Sequence, residues 1–343
     1  MTIEIVNPLE RQDWNDLVLQ TAGYSFFHSS NWAKTLHESY GFTPLYFTRF
    51  DRGSIKAALP VMEVRSFLSG CRGVSLPFSD FCPCLGESKE DDGLLDAILD
   101  HGKKGGWKYF ELRSEHPLLA EAASCRYHYI HTLDLTPGED QLSRNLRDST
   151  KRNIKKARKE GVTVTRSTSR EAVASFCRLN SLTRRQHGLP PQPAVFFDRF
   201  YTNIISQGMG SIYLAHHQGA CIAGAVYVRF GDSVIYKYGA SDARHQQLRS
   251  NNLVMWEAIR DYSREGGCDF SFGRTEPEND GLRQFKHGWG GDEETVRYYR
   301  FNVQCNRFEE DTGNHVPGYT RIFSRLPLPL LETIGKYLYR HAG

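Results

Sequence analysis

The chain has 343 residues, which is long for one hydrophobic core and sufficient for two domains. With 39% hydrophobic and 24% charged residues its composition is that of a globular protein, and a net charge of +3 is too small to indicate a class of partner. No apolar run reaches about eighteen residues and the N-terminal residues lack an apolar segment, so we expect neither a transmembrane helix nor a signal peptide. These features predict a cytoplasmic protein.

The eight cysteines predict neither disulfides nor a metal site. They are scattered along the chain, and the closest pair, Cys82 and Cys84, has no second pair to complete a zinc site. We therefore expect reduced thiols, no bound metal and no redox cofactor.

Hydrophobic periodicity predicts alternating helices and strands. In the first half these are helices over residues 10–20 and 31–40, a hairpin of residues 45–49 and 55–64, a helix over 91–101 and a strand over 107–113. In the second half they are a hairpin of residues 211–216 and 220–229, a strand over 234–240, a helix over 251–265 and a strand over 268–273. The two halves thus repeat one order of elements.

A second sign of repetition is a similarity between two short stretches of the sequence. The stretch 105-GGWKYFELR-113 has the same layout as 266-GGCDFSFGR-274: a glycine pair, an alternating strand and a closing arginine. We interpret the chain as a duplication, with a first domain over residues 1–140 and a second over 141–303, and we expect 304–343 to pack back on the first domain. Because hairpins alternate with helical crossovers, the predicted class is α/β (α+β) with mixed sheets flanked by helices.

The segment 144-RNLRDSTKRNIKKARKE-160 carries the strongest concentration of positive charge. At helical spacing five basic residues share one stripe: Arg144, Arg147, Lys151, Lys155 and Arg158. Such a stripe attracts the phosphates of a nucleic acid, a nucleotide or a lipid surface. The same pattern also suits a solvated helix face, and the sequence leaves both interpretations open.

Two further segments have features of a binding site. In 183-TRRQHGLPPQP-193 a helix ends at Gly188, so Arg185 and His187 lie where the helix dipole favours cations, and the stiff LPPQP loop resembles a pocket wall. Residues 234–259 form a strand, a loop and a helix, the order in which acyl-CoA enzymes bind pyrophosphate at a helix N-terminus. Here the loop, residues 247–252, contains no glycine, and its side chains would hinder the approach of pyrophosphate to the backbone.

The stretch 281-GLRQFKHGWGG-291 predicts a short helix, residues 282–286, that stops on glycines. Its last turn presents Lys286 between Phe285 and His287. A lysine in this setting is either a fixed cation in a site or a surface residue that covers aromatic rings.

Six segments together resemble one known family. They are 29-SSNWAK-34, the basic helix with 161-GVTV-164, 186-QHGLP-190, 236-YKYGAS-241, 251-NNLVMWEAI-259 and, most specific of all, 272-FGRTEPENDGLRQFKHGWG-290. The family is FemAB, the peptidoglycan-bridge aminoacyltransferases built from two tandem GNAT-like units, and the resemblance covers most of the chain. The C-terminal 325-RLPLPLLETIGKYLYR-340 resembles the FemAB-related group associated with exosortase (PEP-CTERM) and exopolysaccharide loci.

The resemblance implies an acyltransferase that moves an aminoacyl or acyl group onto an amine of a cell-envelope acceptor, with charged tRNA as the expected donor. It puts Phe285 and Lys286 at the acyl-transfer centre, where the lysine would stabilise negative charge on the carbonyl oxygen. The implied substrate-binding residues are Trp32 and Lys34, which would meet precursor phosphates, Tyr236 and Tyr238, which would line the channel, and Arg185, His187 and Arg274.

The resemblance also assigns tRNA phosphates to the basic helix, through Arg147, Lys151 and Lys155. Gln186 stands where family members can carry arginine before His-Gly, so the phosphate role would shift to Arg185 or be lost. Residues 141–160 supply a single helix, which leaves no room for the long helical arm of some members. A general base is not identifiable, although Asp269, Glu276, Asp280 or a substrate phosphate are candidates.

Two other functions remain open from the sequence. One is a GNAT-type N-acetyltransferase that uses acyl-CoA, against which the glycine-free loop argues. The other is a non-catalytic adaptor that binds RNA or belongs to a polysaccharide locus through the basic helix. Neither the acyl group, the acceptor nor the oligomeric state follows from the sequence.

The C-terminal residues 325–343 predict a short amphipathic helix with basic residues nearby. It either packs back on the protein, which we favour, or rests on the inner leaflet next to a lipid-linked acceptor. With so few apolar residues, any membrane contact is expected to be weak, peripheral and dependent on anionic lipid.

Overall fold

The computed structural model describes residues 2–86, 93–116, 119, 121–310 and 320–342. The chain divides into two units. The first unit comprises Met1–His128, Thr295–His315 and Tyr337–Gly343, and the second comprises Tyr129–Glu294 and Val316–Lys336.

This division differs from the predicted one of 1–140, 141–303 and a tail on the first domain. The first boundary falls inside a strand, between His128 and Tyr129, because long-range pairing, which local sequence does not report, decides where a strand belongs. The tail is also divided. Tyr339 stacks on Tyr40 within the first unit, whereas Gly335 packs so closely on the LPPQP loop of the second unit that an added Cβ would lie 2.2 Å from the Pro191 carbonyl oxygen.

The first unit is a mixed sheet with helices on it. Its strands are β1 Ile3–Val6, β2 Thr43–Asp51, β3 Ser54–Ser66, β4 Gly70–Val74, β5 Leu85–Gly86 and β6 Tyr109–Leu112, to which the later β13 Asp292–Asn302 and β14 Arg307–Phe308 are added. Its helices are α1 Trp14–Leu19, α2 Ser30–Tyr40 and α3 Leu94–Lys104. The strand order is β1-β2-β3-β4-β6-β13, with β5 on β3 and β14 on β13. Neighbouring strands are antiparallel except β4 and β6, which run parallel.

The second unit repeats this plan. Its strands are β7 Arg126–Asp134, β8 Thr163–Ser167, β9 Gly210–His217, β10 Ala220–Phe230, β11 Ser233–Ser241 and β12 Asp269–Thr275, in the order β7-β12-β11-β10-β9-β8. Its helices are α4 Glu139–Asn145, α5 Asp148–Lys159, α6 Arg170–Gln186, α7 Ala194–Asn203, α8 Ser250–Arg264, α9 Asp280–His287, α10 Thr320–Phe323 and α11 Leu328–Leu338, the last ending in the first unit. Only β11 and β12 are parallel neighbours among the paired strands described.

The duplicated order that the sequence predicts is present in both units. Each contains a hairpin, a further strand, a helix and a strand that returns parallel to the one before the helix: β2-β3, β4, α3 and β6 in one, and β9-β10, β11, α8 and β12 in the other. The α/β class with mixed sheets flanked by helices is therefore confirmed. Two parallel strands need a crossover connection, which is a helix in both units. Each Gly-Gly pair follows that helix and leads into the second strand, which explains why the two stretches are alike.

The predicted elements match closely except in three places. The single helix predicted over residues 141–160 is wrong: α4 ends at Asn145 and α5 begins at Asp148, because Leu146 and Arg147 have an extended backbone (ψ 140° and 145°). The other two differences are helix starts. The helix predicted from residue 10 begins at Trp14, since residues 7–13 form turns with bonds such as Glu10 N–H to the Asn7 carbonyl. The helix predicted from residue 91 begins at Leu94, and residues 91–92 lie outside the described part of the chain. Among the described residues no helix is long and apolar enough to cross a bilayer.

Each unit has its own aromatic-rich core. In the second unit α5 and α8 cover the sheet, and Trp289 and Tyr262 are buried with them. In the first unit α3 packs on the sheet over Trp107 and Phe110. Removing a buried tryptophan from such a core typically costs about 3–5 kcal/mol, so these rings are major contributors to the stability of each unit.

Candidate functional site

A cavity of about 520 Å³ opens in the second unit at the N-terminal ends of two helices. The first turns of α5 and α8 and one face of α9 form its walls. The lining side chains are mostly polar and include Arg147, Ser149, Thr150, Asn153, Asp242, His245, Arg249, Ser250, Asn251, Asn252, Gln284 and Phe285.

Both helix N-termini reach the cavity without a side-chain cap. Arg147 precedes α5 and Arg249 precedes α8, and neither side chain accepts a hydrogen bond from its helix. Arg249 has a left-handed backbone (φ 59°), which turns the chain sharply from a 3₁₀ segment, Ala243–Leu248, into α8. Unpaired N–H groups and the helix dipole attract anions, so the cavity suits a phosphate or a similar group.

The charges around the cavity are arranged to leave it positive. The acid in its wall, Asp242, is bonded to Arg244 (Nη2 to Oδ2, 2.6 Å), and this bond lowers the pKa of Asp242 to about 2. The paired carboxylate is thereby neutralised, while Arg147 and Arg249 contribute positive charge at the two helix ends.

The helix α9 connects this cavity to the end of β12. It begins at a cap in which the Asn279 side chain accepts a hydrogen bond from the Leu282 N–H. Gln284 and Phe285 face the cavity, whereas Lys286 is buried, 2% exposed, on another side of the helix. Its ammonium donates to the carbonyl oxygens of Gly273 (2.7 Å) and Arg274 (2.9 Å). Lys286 is thus a rigidly held internal cation and not a surface residue.

The glycines that follow Lys286 are required by close packing. A Cβ on Gly291 would lie 2.1 Å from the Thr132 carbonyl oxygen, and Gly290 has φ +82° with Asn145 beside it. Gly288 packs on Thr150 in the same way. The glycines let the chain at the end of α9 pass close to β7, α4 and α5, which fixes the position of α9.

A cluster of titratable side chains lies beside Lys286. The Nε2 atoms of His131 and His287 are 2.9 and 3.0 Å from Glu293 Oε2, and Arg283 bonds both Glu293 oxygens. Burial, then the charge of Lys286, lowers the pKa of His131 to about 4.

The ligand atoms of His131, His287 and Glu293 lie within 4.8 Å of one another and could hold a metal ion. However, the Arg283 guanidinium already neutralises the Glu293 carboxylate and lowers its pKa, and the Lys286 ammonium lies nearby. The arrangement fits an internal ion-pair cluster better than a cation site.

The structure separates Tyr236 and Tyr238, which were predicted to line one channel. A regular strand would put both on one face. Instead Val226 pairs with Tyr238 and its neighbour Tyr227 with Tyr236, so a bulge at Lys237 turns the two rings to opposite faces. Tyr236 packs on the core beneath α8, and Tyr238 packs among Phe196, Phe197 and Phe200 of α7.

The remaining predicted residues are distributed over both units. In the first unit Trp32 is fully buried against Phe26 and Phe27, which makes it a core residue, while Lys34 is exposed on α2. In the second unit Arg185 and His187 are at the end of α6, where burial lowers the pKa of His187. Arg274 is the last residue but one of β12, and its Nη2 atom lies 3.5 Å from Glu276 Oε1.

The basic helix contributes to two sites rather than one stripe. Arg147 belongs to the cavity, whereas Lys151 and Lys155 line a groove of about 290 Å³ together with Arg158, over a floor of Leu146, Ile154 and Trp256. Lys151 also donates to the Arg144 carbonyl (2.9 Å), and Arg158 pairs with Glu257 (2.9 Å).

Residues 249–252 were not predicted as a site from the sequence. Their lack of glycine had counted against a phosphate-binding loop, yet they form the wall of the cavity. The available signal was Ser250-Asn251-Asn252 at the start of a fifteen-residue helix, since short polar residues with exposed N–H groups favour anions there.

Comparison with known proteins agrees with this fold. Residues 144–287 match the model of a family described as Acetyltransferase (GNAT) domain. No curated protein sequence matches the chain.

Among solved structures, FemX is similar with a TM-score of 0.66 and 14% identity, over 87% of this chain and 97% of FemX. A tandem GNAT protein from the clavulanic acid biosynthesis pathway has a TM-score of 0.58 and 11% identity, over 88% of this chain and 98% of its own. L-PGS from Bacillus licheniformis has a TM-score of 0.55 and 12% identity, over 94% and 98% respectively. The tandem GNAT-like fold is confirmed, and at these identities the structural likenesses concern the fold alone.

Proposed function

We propose that this chain is an acyltransferase that forms an amide bond, moving an aminoacyl or acyl group from a phosphate-bearing donor to an amine of a cell-envelope acceptor. The observation that carries the proposal is the positive cavity into which the N-termini of α5 and α8 open beside Arg147 and Arg249. The match of residues 144–287 to a GNAT domain supports acyl transfer as the reaction.

The preferred donor is aminoacyl-tRNA, as the FemAB resemblance implies. The cavity and the groove are lined by different residues of the segment that begins at Arg147, with Arg147 at the cavity and Lys151 and Lys155 at the groove, so a long polyanion could occupy both. Acyl-CoA is the second candidate because of the GNAT match, and it would need only the cavity.

In the proposed reaction the acceptor amine attacks the carbonyl carbon of the donor. The new C–N bond forms, the bond from carbon to the donor oxygen breaks, and the amine proton passes to the leaving oxygen. In a thioester the leaving atom is sulfur. Negative charge develops on the carbonyl oxygen, and we assign its stabilisation to Lys286, as the resemblance implies. Two carbonyl bonds hold its ammonium beside β12, on a side of α9 other than the one that lines the cavity, so its charge would act across α9 and not by direct contact with a donor in the cavity. The base is Asp269, Glu276, Asp280 or a substrate phosphate, and no metal or redox cofactor is included.

The first experiment tests the cavity. The full-length protein is incubated with aminoacyl-tRNA or acyl-CoA and with amine acceptors, both peptidoglycan precursors and amino sugars, and the amide product is measured by mass spectrometry. Arg249→Glu should raise KM for the productive donor by about tenfold or more, because it reverses a charge at the anion site. Arg264→Glu, at the exposed far end of the same helix, is the matched control and should change little. Unchanged KM in Arg249→Glu would remove the cavity from the reaction.

The second experiment distinguishes the donors. Arg147→Glu should weaken either donor, whereas Lys151→Glu with Lys155→Glu should weaken only aminoacyl-tRNA and reduce the salt slope of its binding by about 2. The double variant Lys103→Glu with Lys104→Glu controls for net charge, because both lysines are exposed at the end of α3 in the first unit. If the groove variant keeps both KM and slope, Lys151 and Lys155 are a solvated face. Salt-dependent binding of bulk RNA without product from any donor would instead favour the adaptor function.

A further inference from the structure

The turn between β3 and β4 holds two large apolar side chains out of the protein. Phe67 is 86% exposed and Leu68 is 62% exposed. We call these two residues the apolar tip. Single exposed apolar residues are common, but an adjacent pair at this exposure on one turn is not.

The apolar tip is supported by an internal network. The buried Arg72 guanidinium donates to Ser69 Oγ in the turn and to the His341 carbonyl oxygen in the last turn of the chain, both at 2.7 Å. Ser66 Oγ and His341 Nδ1 are 3.0 Å apart, and the His341 ring lies edge-on to Phe67 at 4.6 Å. A buried guanidinium is costly to desolvate, so a turn that only connects two strands would not require one. The network holds Phe67 in its exposed position.

The rim of the apolar tip is positive. The Lys108 side chain runs along Gly70, so that an added Cβ there would lie 2.5 Å from Lys108 Cε. Arg340 is exposed next to His341. Burial is the main cause that lowers the pKa of His341, and the charge of Arg340 is the second. The Arg65 side chain is 70% exposed, whereas its carboxylate partner, Glu63, is buried and also accepts a bond from Trp107 Nε1. The acid therefore points inward while the cations point outward.

We propose that the apolar tip and its basic rim form a peripheral docking surface for an anionic lipid bilayer. Aromatic and aliphatic side chains of such a surface enter the boundary between headgroups and acyl chains, and the surrounding lysine and arginine contact the anionic headgroups. The charge of the rim selects this occupant over a second copy of the chain, whose identical rim would repel it. The surface does not depend on the reaction proposed above, although it would bring the enzyme to a lipid-linked acceptor.

Co-sedimentation of the full-length protein tests the surface. Vesicles of equal parts phosphatidylglycerol and phosphatidylcholine are compared with vesicles of phosphatidylcholine alone. The unmodified protein should bind only the anionic vesicles, and Phe67→Ser with Leu68→Ser should weaken binding by about tenfold or more. Arg340→Glu with Lys108→Glu should abolish the preference for anionic lipid. Ile5→Ser removes an exposed apolar residue elsewhere in the first unit, 48% exposed on β1, and should leave binding unchanged.

A second variant measures insertion directly. Phe67→Trp keeps the apolar tip, and lipids brominated in the acyl chains should quench its added fluorescence, relative to the unmodified protein, in anionic vesicles. The proposal is overturned if the double serine variant binds like the unmodified protein, or if the added tryptophan is not quenched in sedimenting protein. Concentration-dependent dimerisation that Phe67→Ser abolishes, in the absence of vesicle binding, would overturn it in favour of a second copy.

Discussion

The two units end their equivalent strands, β6 and β12, in different ways. In the first unit Arg113 is buried and bonded to Glu111 (2.9 Å), which Arg300 also contacts (2.7 Å), and the backbone continues into bonds with Ser75 and Cys82. In the second unit Phe272 stands at the position of Glu111, the Arg274 side chain is partly exposed, and the carbonyl oxygens of Gly273 and Arg274 accept from Lys286.

The difference shows that two copies of one fold can close the same strand end in different ways. The first unit closes its strand end with an internal ion cluster of Arg113, Glu111 and Arg300. The second unit closes the same place with one lysine from α9, whose other face lines the cavity. Because Phe272 carries no charge, the second unit needs no counter-ion at the position of Glu111, and the cation at its strand end comes from α9.

The largest expected effect lies in the first unit. Glu111→Gln should lower the free energy of unfolding by about 3–5 kcal/mol, because the buried Arg113 guanidinium and the partly buried Arg300 guanidinium lose their buried counter-charge. Glu115→Gln breaks the exposed pair with Arg297 and should cost at most about 1 kcal/mol. Denaturant unfolding with the two variants measures both. Equal effects would mean that the strand end of the first unit is not closed by its ion cluster.

Acid should weaken both units through buried histidines. Burial lowers the pKa of His28 in the first unit and His131 in the second to about 4, from an ordinary value of 6.5. Between these values the unfolded chain binds more protons than the folded one, so stability falls as the pH drops through this window, by up to about 3 kcal/mol for each histidine.

His28→Gln should flatten this pH dependence more than His131→Gln. The His28 Nδ1 accepts from the Ser25 N–H and cannot take a proton without losing that bond, whereas a protonated His131 would gain from Glu293, 2.9 Å away. Thermal unfolding at about pH 7 and about pH 5 gives the comparison, with His217→Gln on β9 as the control. A steeper slope in either variant than in the unmodified protein contradicts the assignment.

Lys286→Met should lower the free energy of unfolding by about 1–3 kcal/mol, because two buried carbonyl oxygens lose their donor. Turnover should also be lost, since the cation at the proposed acyl-transfer centre is removed. Lys155→Met, on the exposed side of α5, should affect neither fold nor chemistry at saturating donor. A stable Lys286→Met protein with normal kcat would show that β12 does not need this cation. An unstable one with normal kcat would assign Lys286 to structure alone.

The smallest expected effect is a gain in stability. Gly281→Ala, in the first turn of α9, meets nothing closer than 4.0 Å and should stabilise the protein by about 0.5–1 kcal/mol through helix propensity. Gly291→Ala, ten residues on, should be destabilising because its Cβ would collide with the Thr132 carbonyl. In thermal unfolding the two variants should shift the melting temperature in opposite directions. Shifts in the same direction would mean that the segment after α9 is not packed as described.

Local sequence determined the elements and their repetition. The alternation of apolar residues and the Gly-Gly turns specified the hairpins, α8 and the strand that follows it, because periodicity and backbone propensity act over a few residues. It also determined that Lys286 would stand at the end of a short helix followed by glycines. The FemAB resemblance likewise pointed to a tandem GNAT-like fold.

Only the tertiary structure decided which residues meet. A bulge at Lys237 separates Tyr236 from Tyr238, aromatic packing makes Trp32 a core residue, and glycine-free residues 249–252 become a cavity wall. His131 meets Glu293 and His287 only because β7 and the chain after α9 are brought together in the second unit. The tail is shared between units for the same reason: pairing and packing join residues distant in the chain, and neither periodicity nor propensity carries information about such contacts.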